Sequence, residues 1–71
     1  MVKRDEIERR IRREARRQGV RWTLDREGAR HSVFRLGNTV IPIPRHVEIG
    51  EGLARDILRE CEVELGKNWW K

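Results

Sequence analysis

The 71 residues predict an α+β domain of order α-β-β-β-α, in which a three-stranded antiparallel sheet carries both helices on one face. Three observations carry the prediction. Ile7, Ile11 and Ala15 recur at the four-residue spacing of one helix face, Val20, Trp22 and Leu24 alternate with Arg21, Thr23 and Asp25 as on a half-buried strand, and Gly37-Asn38 divides two further strand-like segments as a hairpin turn does.

The first helix runs from about Lys3 to Gln18, with Gly19 as its stop. The first strand follows, and Glu27-Gly28-Ala29 reads as the connection to a second strand from about Arg30 to Leu36. There Ser32, Phe34 and Leu36 share one face, and His31, Val33 and Arg35 share the other. The third strand, Thr39 to Ile43, is β-branched but carries Pro42, with Pro44 just beyond it; proline lacks the N–H of a central ladder, so this strand is expected at an edge. Arg45 to Glu48 reads as a loop leading out. The second helix is expected over roughly Glu51 to Glu64, with Leu53, Ala54, Ile57, Leu58 and Cys61 inward and Gly66 as the stop. Trp69 and Trp70 are expected to close the open end of the core over the first helix, although stacking on bases is the other use of such a pair. A chain of this length supports one core, so residues 1–71 form one domain.

Charge is the dominant compositional feature: 41% of residues are charged and the formal net charge is +5. Residues 1–30 hold eleven Lys or Arg against six Asp or Glu, while residues 31–71 hold six of each, so the excess lies wholly in the first part. Arginine dominates it, and arginine grips planar oxyanions through paired hydrogen bonds, which makes a polyanion the natural target. A solvated helix face laced with ion pairs through Glu6, Glu8 and Glu14 accounts for the same composition. The single cysteine, Cys61, excludes an internal disulfide or a thiolate zinc site and suits a reducing cytosol. No apolar run is long enough to span a bilayer and no apolar leader opens the chain, so a cytoplasmic protein is expected.

Strand alternation puts His31 and Arg35 on the uncovered face of the sheet, free to meet a substrate. A histidine that is merely solvated fits the alternation equally well; what distinguishes His31 is its company, with Gly28 upstream, Arg30 and Arg35 beside it, and Arg45-His46 arriving after the next strand. His46 follows two prolines and an arginine, and such a stiff loop can fix an imidazole, anchor to the second helix or meet a partner. Two imidazoles without a carboxylate at motif spacing make a poor metal site, and no cofactor motif is present. Ser32 and Cys61 face inward, which makes a serine or cysteine hydrolase unattractive.

These segments resemble a known family. The run Asp25-Arg26-Glu27-Gly28-Ala29-Arg30-His31-Ser32-Val33-Phe34, then Ile41-Pro42-Ile43-Pro44-Arg45-His46, Ile49-Gly50 and Leu53-Ala54-Arg55-Asp56-Ile57-Leu58, is similar to the HicA toxins of bacterial toxin-antitoxin modules over nearly the entire chain. The resemblance implies a double-stranded-RNA-binding-domain-like fold and an mRNA interferase, a ribonuclease that cuts transcripts and arrests growth until a cognate HicB-like antitoxin covers it. It places the functional histidine at His31. Many members read Gly-Ser-His, whereas here Ala29 and Arg30 both separate Gly28 from His31. RNA supplies its own nucleophile, the 2′-hydroxyl, so such an enzyme needs a base, an acid and cations on the phosphate, and no metal. His31 is then the base or acid, Arg30, Arg35 and Arg45 are candidate phosphate contacts, and His46 is the candidate second proton-transfer group.

Two rival readings follow from the same residues. A non-catalytic RNA-binding module of the same fold would ordinarily carry a lysine cluster at the start of its second helix; here that position reads Glu51-Gly52-Leu53-Ala54-Arg55-Asp56, nearly neutral. A basic helix that meets only an acidic protein is the other.

Overall fold

The computed structural model describes residues 1–71. Two short strands and one turn of helix join the expected elements, in the order β1 (Val2–Lys3), α1 (Arg4–Gln18), β2 (Trp22–Glu27), β3 (His31–Leu36), β4 (Thr39–Pro44), β5 (Glu48–Ile49), α2 (Glu51–Glu60) and α3 (Glu62–Leu65). The main sheet is antiparallel in the order β2-β3-β4, and β1 pairs with β5 apart from it. Ile7, Ile11 and Ala15 of α1 and Ala54, Ile57 and Leu58 of α2 share one buried cluster with Phe34, Leu36, Ile41 and Ile43 of the sheet, as the α-β-β-β-α layout requires.

Gly19 ends α1 in the left-handed conformation at φ 75°, and the Val20 N–H reaches back to the Ala15 carbonyl at 2.8 Å, which closes the last turn. At the hairpin the positive φ falls on Gly37 (60°) alone. A Cβ there would run into the Glu64 carboxylate, which accepts hydrogen bonds from Thr39 Oγ1 (2.7 Å) and the Asn38 N–H (3.3 Å). Counting along β4 from this two-residue turn, Thr39, Ile41 and Ile43 face Leu36, Phe34 and Ser32 in the hydrogen-bonded pairs. Pro42 and Pro44 therefore fall where an N–H would point out of the sheet, and β4 is an edge.

Several expectations change. β2 carries an extra residue: Leu24 faces Phe34 but Arg26 faces Val33, so Asp25 is a bulge and the alternation reverses beyond it. Trp22 stacks on Phe34 with ring centroids 4.5 Å apart, while Leu24, further along this edge strand, is 51% exposed and not part of the core. The expected loop of residues 45–48 ends in β5, and Lys3 belongs to β1 rather than to the helix. Two-residue strands have no periodicity to betray them. Leu53, expected inward, is exposed because it flanks the stripe that Ala54, Ile57, Leu58 and Cys61 form.

The second helix breaks at Cys61. The Leu58 carbonyl there accepts the Cys61 N–H (3.2 Å) and the indole N–H of Trp69 (2.9 Å), in place of the N–H four residues on that would continue the helix. Trp69 and Trp70 pack on the core as expected, and the Trp70 indole donates to Glu62 at 2.8 Å. Cys61 is fully enclosed, and burial, with Glu60 nearby, pushes its thiol up to about 12. A thiol so placed is neutral and inert. Native protein is expected to show no reaction with a thiol-specific disulfide reagent at pH 8, and full reaction once denatured; labelling of the native protein at the free-thiol rate would contradict this packing.

Candidate functional site

Ser32 Oγ points into the protein and accepts a hydrogen bond from Arg4 at 2.6 Å, so the next side chain back, His31, leaves on the opposite side and is exposed. Its position is set by the turn before it. The Gly28 N–H donates to the His31 carbonyl at 2.7 Å, and a Cβ on Gly28 would sit 3.0 Å from that oxygen, so the close approach suits glycine. Residue 45 then braces the same turn from the next strand: its N–H donates to the Arg30 carbonyl (3.1 Å) and its guanidinium to the Gly28 carbonyl (3.0 Å), with Glu27 at 3.8 Å.

Two open clefts meet at His31. One, of ≈ 580 Å³, lies between the end of the sheet and the start of α2, and is lined by Arg30, His31, Pro44, Arg45, His46 and Leu53. The other, of ≈ 600 Å³, runs along the uncovered face past Arg26, Gly28, Arg30, His31, Val33 and Pro42. His46 thus shares the first cleft with His31. Backbone hydrogen bonds hold its loop on either side, from the Arg45 N–H to Arg30 and from the Arg4 N–H to the Val47 carbonyl at 2.9 Å.

The candidate cations divide into three groups. Arg30 lines both clefts and has no carboxylate in contact. Arg45 lines the first cleft with its guanidinium already engaged, which makes it a brace as well as a charge. Arg35 shares the face of His31 but lies four residues along the strand, about 13 Å away, with Asp25 at 3.4 Å from its guanidinium.

Arg26 was not among the expected contacts, and it lines the second cleft. The bulge at Asp25 turns it to the uncovered face beside Val33. The only sequence signal is the charged run Asp25-Arg26-Glu27, which interrupts the alternation of the strand before it. Arg4 also escaped notice. Its guanidinium ties α1 to Ser32, to the Pro44 carbonyl at 2.9 Å and to Glu8 at 2.9 Å, and so locks together the ends of β3 and β4 from which the two histidines project.

Two imidazoles and an uncommitted guanidinium around one cleft are the side-chain types that acid–base chemistry at a phosphate uses. No helix of the chain is long and apolar enough to cross a membrane. No family model, curated protein or solved structure matches the chain.

Proposed function

We propose that the protein is an endoribonuclease of the HicA kind, the toxin of a type II toxin-antitoxin module that cuts mRNA in the cytoplasm and is neutralised by a HicB-like antitoxin. The observation that carries this reading is the cleft shared by His31, His46 and Arg30, open to a nucleotide and framed by groups suited to a phosphodiester. One imidazole takes the proton of a ribose 2′-hydroxyl; the oxygen attacks the adjacent phosphorus, and the bond to the 5′-oxygen breaks. The second imidazole gives that leaving oxygen its proton. Arg30 holds the non-bridging oxygens through paired hydrogen bonds, with Arg26 beside it along the second cleft. Arg45 positions the His31 turn, and Arg35 lies where a flanking nucleotide would pass.

This chemistry fixes the products. Purified protein incubated with a transcript in the presence of a chelator is expected to leave 2′,3′-cyclic phosphate and 5′-hydroxyl ends, read by end-group labelling. Cleavage that stops on chelation, or that leaves 5′-phosphate ends, would rule out the mechanism. Binding of RNA without any cleavage would transfer the site to a non-catalytic RNA-binding module.

A further inference from the structure

We infer that the outer face of α1 is a second RNA-binding surface, a guanidinium track that holds the phosphate backbone of single-stranded RNA on the layer opposite His31. The helix buries Ile7, Ile11 and Ala15 against the sheet. Arg9, Arg13 and Arg16 follow one another at four- and three-residue steps, a single stripe on the far side of the helix from those apolar residues and about 10 Å long. All three are exposed. None has a carboxylate within 4.0 Å, whereas Arg4 is paired with Glu8 and Arg17 with Glu14. The helix pairs Arg4 and Arg17 with carboxylates of its own, while the outward row has no carboxylate in contact, an arrangement that raises the local concentration of a polyanion.

The company of this row favours RNA over an acidic protein. Beside Arg13 lies a shallow hollow of ≈ 150 Å³ between α1 and the tail, walled by Arg10, the partly buried Trp69 and Trp70, the Glu14 carboxylate that Arg17 engages, and Lys71, whose ammonium lies 5.5 Å from the centre of the Trp70 ring. The Arg10 guanidinium is held there by the Trp70 carbonyl. Indole rings next to guanidinium groups form a platform on which a base stacks while its phosphate is gripped, a pairing that every nucleotide offers and a run of carboxylate side chains does not. This surface lies across the core from the uncovered sheet face, so one strand reaches both only by passing around the molecule.

The inference takes RNA as the polyanion from the nuclease reading, but its test reads binding without cleavage. Affinity of the full chain for a short fluorescein-labelled 2′-O-methyl RNA, which lacks the nucleophile, is measured by anisotropy against salt. The triple variant Arg9→Gln, Arg13→Gln, Arg16→Gln keeps good helix formers and removes three contacts, so the slope of log K against log salt is expected to become shallower by about 2. Between 50 and 200 mM salt the parent then loses about twentyfold more affinity than the variant. Arg13→Glu alone, a change at the middle of the row, is expected to reduce the slope by at least about 0.7. Unchanged slopes in both folded variants would overturn the inference. So would equal losses for polyglutamate and RNA, which would assign the row to an acidic protein. A parent that binds with the full slope yet cuts nothing would sink the nuclease reading and leave this surface standing.

Discussion

His31→Ala is expected to lose RNA cleavage by about 10²–10⁴-fold, equivalent to about 3–5 kcal/mol of barrier, while its far-UV circular dichroism and unfolding midpoint stay near those of the parent. The imidazole is exposed and makes no contribution to the core, so removing it leaves no cavity. His46→Ala is expected to be weaker on its own. It is also expected to add little to His31→Ala, because a base and an acid that act together in one displacement are non-additive when removed. In cells the same pair of variants separates growth arrest from mere expression: the parent alone halts growth and degrades transcripts, and His31→Ala does neither. A folded His31→Ala protein that cut RNA at the parental rate would remove this residue from the chemistry.

Arg4→Ala is expected to cost about 2–4 kcal/mol of stability, since hydrogen bonds from a charged donor contribute about 1.5–3 kcal/mol each and several are lost together, though not additively. In a domain this small that lowers the melting temperature by about 10–20 °C. The side chains of Arg4 and Glu8 are 21% and 19% exposed, so solvent screens the pair only in part. Burial raises the Glu8 carboxyl above its ordinary value, and Arg4 pulls it back down. Because the folded-state value is raised, protonation of Glu8 favours the folded protein, and that contribution is lost as pH rises through the folded value. Without Arg4 the carboxylate is left without its partner, so the gap between variant and parent is expected to be widest at neutral pH and to narrow on acidification. Urea unfolding of both proteins at pH 7 and pH 4 measures it; a gap that widened at pH 4 would contradict the role assigned to the Arg4–Glu8 pair.

The layout was legible because each long element has one buried face and the period of that face is visible in the chain. Ile7, Ile11 and Ala15 mark a helix, and Ser32, Phe34 and Leu36 mark the covered face of a strand, from which the exposure of His31 follows directly. What escaped has no period. The β1–β5 pair is held by backbone groups over two residues a side, and the break at Cys61 depends on the Trp69 indole reaching a carbonyl eleven residues away. The site was partly legible for the same reason. Arg30 and His46 line one cleft with His31, but a single inserted residue, Asp25, decides that Arg26 joins Arg30 and His31 along the other, and nothing in the alternation forecasts a bulge. Arg45 and Arg35 were grouped with them as equal charges, and only tertiary geometry distinguishes a brace from a free cation.

The two prolines of β4 bear on how copies of the chain meet. Their missing donors leave that border of the sheet unable to accept a full neighbouring strand, whereas the β2 border keeps its outward amide groups. Contact through β2 alone joins like to like and stops at a pair, since runaway stacking into fibres needs two receptive borders on every copy.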